Sequence, residues 1–159
     1  MMAGPLTMHF AAGYVSRSDL VAALLIHDNI GKRPILFAVS AASFPEEALG
    51  LVGHMVTEGL VRKVMPDSVV VGGQIADSQY MGLVDMARTK ALLFKTYHVD
   101  TVTRTRPGGW YDPPSADMLA MYMRTDGAFS QVLAAHGEMA DAAESMHVAE
   151  AVQKAIAGP

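Results

Sequence analysis

The stretch PLTMHFAAGYV, residues 5–15, sets one imidazole, His9, inside an apolar run. A histidine in such a run is usually packed, with both ring nitrogens hydrogen-bonded; less often it is a proton-transfer group, because imidazole titrates near neutrality. Other polar constellations are weaker. His54 and Glu58 stand four apart, the spacing of one helix face, and two groups are too few for a metal. His136, Glu144 and His147 could share a helix face without fixing a ligand set, so a solvated face is the expectation. His27-Asp28-Asn29 ends an expected helix, where a cation is favoured by the helix dipole. The segment TRTRPGGWY carries Arg104, Arg106, Trp110 and Tyr111. Such side chains grip a flat or anionic ligand or anchor a subunit interface, and the interface is the favoured reading. Gly72-Gly73 follows an apolar run but belongs to no phosphate-loop motif, and no G-x-S-x-G elbow occurs.

The elements expected to position these residues alternate. LTMHFAAGYV reads as a first strand. SRSDLVAALLIHDNIG follows as a helix, with Ser16 or Ser18 as N-cap and Gly31 as stop. RPILFAVSA is a second strand, apolar throughout and so covered on both faces. SFPEEALGLVGHMVTEGLVRK reads as a second helix capped by Ser43, with Pro45, Glu46 and Glu47 suiting its first turn. DSVVVGGQIAD is a third strand, in which Gly72 and Gly73 mark a bulge or a close backbone approach. SQYMGLVDMARTKALLFKTY is a third helix. Val99, Thr101 and Thr103 suggest a short strand before a Pro- and Gly-rich loop. From Ser115 the chain is Ala- and Met-rich and helical, with a break expected at Asp126-Gly127 and a buried stripe of Phe129, Leu133, Val148, Val152 and Ile156. The fold class is therefore α/β with an appended C-terminal helical segment: residues 1–112 form the α/β core, and 113–159 a helical extension of the same domain.

Composition bounds the function. The 159 residues are one ordinary domain. Hydrophobic residues make up 51% and charged residues 18%. With a mean hydropathy of +0.23, this implies apolar surface buried between subunits. No apolar run approaches the roughly 18 residues of a membrane span, and Met1 to Pro5 carries no basic signal-peptide region. A cytoplasmic protein is the default expectation. Cysteine is absent, which excludes disulfides, thiol nucleophiles and thiolate metal sites. A net charge of -4 with no basic block gives nucleic acid little support as a partner. The twelve methionines are expected as core and interface filler.

Several fragments taken in order resemble the formaldehyde-activating enzymes, the tetrahydromethanopterin hydro-lyases. They are His9 in MHFAAGYV, then SDLVAALLI and PILFAV. VTEGLVRKVMP follows, with Glu58, Gly59 and Pro66. SVVVGGQIAD and ARTKALLF, with Thr89 and Lys90, complete the set. The resemblance spans residues ~5–98 and rests on the order of elements. It implies a two-layer α+β fold like domain 2 of ribosomal protein S5, closed homo-oligomeric rings of which a pentamer is one size, and a small-molecule substrate. It also implies a chemistry. Formaldehyde adds to an amine to give a carbinolamine, and loss of water gives an iminium ion that a second amine traps. That dehydration needs a proton delivered to the leaving hydroxyl, and by resemblance His9 is the acid/base. Gln74, Asp77 and Lys90 follow from the matched segments as substrate-binding candidates. No metal or resident cofactor is required, and a reduced pterin is the implied co-substrate. The alternative is a non-catalytic small-molecule-binding or assembly oligomer on the same scaffold.

Overall fold

A computed structural model describes residues 6–10, 14–99, 103 and 112–157. The loop bearing Arg104, Arg106, Trp110 and Tyr111 lies outside them, as does most of the short strand expected at 99–103. The fold is α+β: a five-stranded mixed sheet with helices, followed by a C-terminal helical segment. The chain divides into two compact units, Met1–Asp77 with Gly82–Asp85, and Ser78–Met81 with Met86–Pro159.

In the first unit, helix α1 spans Arg17–Asn29. It starts where expected because Ser16 and Asp19 form a reciprocal capping box: Ser16 Oγ accepts from Asp19 N at 3.1 Å, and Asp19 Oδ2 accepts from Ser16 N at 3.0 Å. Gly31, at φ +75°, ends it. Strand β1, Leu36–Ala38, lies within the expected second strand. Beyond it the order departs from strict β-α alternation.

The expected second helix survives only as α2, Phe44–Glu47. Gly50 and Gly53 then take positive φ of 70° and 80°, which helix continuation forbids. The rest of that segment is a hairpin of β2, Met55–Glu58, and β3, Val61–Val64. Glu58 pairs with Val61, so the loop is Gly59-Leu60 alone, with Gly59 at φ +63° as a two-residue turn requires. Of the expected third strand only its end, from Ile75, forms a strand, β4, Ile75–Ser78. Ahead of it Gly72 and Ile75 exchange backbone hydrogen bonds at 3.0 and 3.1 Å around a Gly73-Gln74 tip. The paired glycines thus make a tight turn. The expected third helix begins late, after β5, Gly82–Asp85.

The sheet order is β1-β3-β2-β5-β4, with β2 antiparallel to β3 and parallel to β5. Ala23, Ile26, Leu49, Leu51, Met55 and Val64 form one core, with Leu6 and Met8 packed against it. The expected first strand is not a strand within residues 6–10. It is an extended segment that sends Leu6 and Met8 inward, joined by Leu6 N donating to Pro66 O at 2.8 Å.

In the second unit, α3 spans Met86–Ala91 and runs on as a π-helical turn at Leu92–Thr96. Helix α4, Pro113–Ala135, is capped by Asp112, whose Oδ1 accepts from Ser115 N at 2.8 Å. Helix α5 spans Met139–Ala157. The break expected at Asp126-Gly127 falls instead at His136-Gly137, where Gly137 has φ +82°. Gly127 continues the helix, and a Cβ there would meet that of Ala149 at an ordinary contact distance of 4.0 Å. The expected stripe is present, with Phe129, Leu133 and Val152 buried and Val148 and Ile156 partly so.

A Cβ on Gly50 would lie 2.5 Å from the His9 carbonyl oxygen and 2.8 Å from its nitrogen, and would also meet the left-handed backbone penalty. Gly50→Ala should therefore lower stability by about 1–3 kcal/mol, read as a drop in the denaturant midpoint. An unchanged midpoint would mean that the His9 segment does not lie against Gly50.

Candidate functional site

Of the side chains named from sequence, His9, Gln74 and Asp77 belong to the first unit and Lys90 to the second. His9 is exposed, so it is not the packed histidine that an apolar run suggests. Its backbone is held against Gly50 while its imidazole makes no hydrogen bond among the described residues. Gln74 is exposed at the tip of its turn. Asp77, on β4, lines a cleft of about 270 Å³ together with Gly53, Ser68, Val69, Val70, Val71 and Leu83. Val69 N donates to Gly53 O at 2.8 Å, which joins the Val69–Val71 segment to the residues that lead into the hairpin. Val70 and Val71 are well exposed there, at 68% and 54%. The cleft's lining is mostly aliphatic, with Asp77 and Ser68 as the polar side chains.

Lys90 belongs to the second unit and is committed elsewhere. Its Nζ donates to Glu138 Oε2 at 2.6 Å and also pairs with Asp141. The Asp141 hydrogen bond, then that of Glu138, holds the ammonium above its ordinary pKa, and Lys90 in turn holds Asp141 below the ordinary carboxylate value. This arrangement ties α3 to the start of α5.

Other sequence constellations resolve structurally. His54 is buried in the turn before β2, with Nδ1 3.2 Å from Met65 O, and Glu58 sits on β2 facing Lys63 at 3.4 Å. They share no helix, because the hairpin replaces it. His136 Nδ1 lies 2.9 Å from Val132 O at the end of α4. His27 Nδ1 lies 3.1 Å from Asp28 Oδ1 in the exposed last turn of α1. Among the described residues no three His, Cys, Asp or Glu side chains converge as metal ligands, and no helix there is long and apolar enough to cross a membrane.

The titratable group that sequence reading passed over is Asp126. It is 2% exposed between α4 and α5. Ser145 Oγ lies 2.9 Å from Asp126 O and 3.2 Å from its Oδ1. Burial pushes the carboxyl up to about 7 against the ionising pull of the Ser145 hydroxyl. The sequence signal was an acidic residue on the inward stripe with Phe129 and Leu133, misread as a helix breaker. No protein-family model, curated protein or solved structure matches the chain.

The raised Asp126 pKa has a definite sign. Between about 3.8, the ordinary value, and about 7 the unfolded chain has released the proton that the folded chain keeps. Stability from this group is thus greatest at acid pH and falls as pH rises towards 7, by up to about 4 kcal/mol. Asp126→Asn should remove that slope and stabilise the protein at pH 8. Denaturant titrations of both proteins from pH 5 to 8 check it, and parallel stability profiles would place the carboxyl in a polar environment.

Proposed function

We propose that this protein is a non-catalytic binding module that takes a small aliphatic amine in the cleft beside Asp77 and works as a homo-oligomer. The observation that carries the ligand class is the cleft's chemistry. Val69, Val70, Val71 and Leu83 offer an aliphatic body its contact, and the Asp77 carboxylate offers an ammonium its counter-charge. The oligomeric part is supported by the mean hydropathy of +0.23 and by aliphatic side chains left half exposed on α1.

The formaldehyde-condensing lyase is the second reading. In its favour, an amine held at Asp77 is chemically the acceptor that formaldehyde needs, and His9 is exposed on the same unit with its imidazole uncommitted among the described residues. His9 would protonate the leaving hydroxyl of the carbinolamine. Gln74, on the turn leading into β4, would be a further contact for a larger acceptor such as a reduced pterin. Lys90 has little to offer a substrate while two carboxylates hold it.

The test begins with binding. Titration with n-butylamine and with n-butanol, followed by backbone NMR, should shift Val69–Val71 and Leu83 with a preference for the amine. Asp77→Asn should reduce that preference by about three- to fivefold, the worth of one exposed charge pair. Equal response to amine and alcohol would remove the amine reading. Formaldehyde is then added with the amine or a reduced pterin, and the rate above background is measured. On the lyase reading His9→Ala loses that acceleration, by about 10²- to 10⁴-fold or down to background. No acceleration by the unmutated protein leaves binding alone.

A further inference from the structure

Helix α1 carries two apolar faces. At about 100° per residue, Ala23 and Ile26 lie on the face turned into the core, where they are 5% and 1% exposed. Leu20, Val21, Leu24 and Leu25 lie on the opposite face and are 50%, 55%, 53% and 60% exposed. Burial within the unit accounts for the first stripe and not for the second. Arg17 and Asp28 bound that second stripe at its two ends, eleven residues apart and so about three turns along the same line.

The order of residues on this face is symmetric. About a point midway between Ala22 and Ala23, Leu20 mirrors Leu25, Val21 mirrors Leu24, and Arg17 mirrors Asp28. We infer that α1 is an isologous interface: it packs antiparallel against α1 of a second copy of this chain, leucines and valines interleaved at the centre and Arg17 opposite the other copy's Asp28 at both ends. A two-fold axis requires such self-complementarity, and the spacings 17, 21, 24 and 28 alternate four and three as in the seam of packed helices.

A second observation selects a copy of the same helix, run antiparallel, as the occupant. Each bounding charge stands at the wrong end of its own helix. Arg17 is in the first turn, where the helix dipole is positive, and Asp28 is in the last, where it is negative. An antiparallel neighbour reverses this, so that Arg17 meets the C-terminal end of the other helix and Asp28 its N-terminal end. Arg17 makes no ion pair among the described residues, where the Asp28 carboxylate pairs with its exposed neighbour His27 and the Asp28 carbonyl accepts from Lys32 Nζ at 2.9 Å. The inference rests on the oligomeric half of the reading above and is independent of the ligand.

Sedimentation equilibrium of the full chain over about 1–100 µM should give a species of at least twice the 16.9 kDa chain mass. Leu24→Asp, which puts a carboxylate at the centre of the seam twice per pair, should weaken association about 100-fold or more. Arg17→Asp alone and Asp28→Arg alone should each weaken it about tenfold, because like charges then face one another at both ends. Both substitutions suit the dipole of their own helix, so α1 should stay folded, checked by circular dichroism. Mixing the Arg17→Asp chain with the Asp28→Arg chain should restore association as a heterodimer, and the double variant R17D/D28R should restore it as a homodimer. A monomer at every concentration overturns the interface and the oligomeric reading together. An oligomer indifferent to Leu24→Asp overturns the α1 interface alone. Charge variants that weaken association without rescue on mixing overturn the antiparallel pairing.

Discussion

The first unit depends on one local constraint, the two-residue turn at Gly59-Leu60. It fixes Glu58 opposite Val61, and with them the register Thr57–Arg62, Val56–Lys63 and Met55–Val64. Because side chains alternate across a strand, a slip of one residue would turn Val64 out of the core and Lys63 into it. The two strands then serve as templates. β3 accepts β1 on its free edge, and β2 accepts β5 at Thr57–Val84. Arg62, placed by that register, reaches back to α2, with Nη1 donating to Glu46 Oε2 and to Ala42 O, each at 2.9 Å. The fork of one guanidinium thus joins the sheet to the short helix that precedes it.

That hairpin also shows where the sequence was legible and where it was not. α1 could be read because its signals are local: a capping box, a helical run and a terminal glycine. The C-terminal helices could be read from their composition and their long apolar stripe. The hairpin was hidden because β2 is a central strand. Met55, Val56 and Thr57 are all buried, so the alternation that marks a strand is absent. The expected helix rested on its start signals, Ser43, Pro45, Glu46 and Glu47. The overlooked signal was Gly59 between β-branched residues, Val56 and Thr57 before it and Val61 and Val64 after. The candidate cleft was out of reach for the same reason, since Gly53 and Val69 meet only once the hairpin has formed.

Asp126 and Gly127 were misread from an opposite cause. Locally the pair is turn chemistry, and in isolation it would favour a stop. In α4 the pair sits on the face covered by α5. Gly127 faces Ala149, and Ser145 supplies the Asp126 carboxyl with a hydroxyl partner. Tertiary packing overrides the weak local preference. The chain ends its helix ten residues later, at Gly137, where no such packing is available and a left-handed residue is needed.

Part of the chain's apolar excess is exposed on the first unit. Its core is assembled from a few medium-sized side chains, of which Ile26, Leu49 and Leu51 are the largest fully buried. Two groups of exposed apolar side chains lie outside that core, the outer face of α1 and the Val70–Val71 wall, besides the exposed Tyr14, Val15 and Leu36. These differ in kind. The valine wall is irregular, concave and rimmed by one carboxylate, a shape that admits a small molecule with a charged end. The α1 face is the outer side of a helix bounded by opposite charges, which in the proposed pairing would meet another helix. On the two proposals, the same hydrophobic effect would serve two kinds of partner, told apart by geometry and terminal charge.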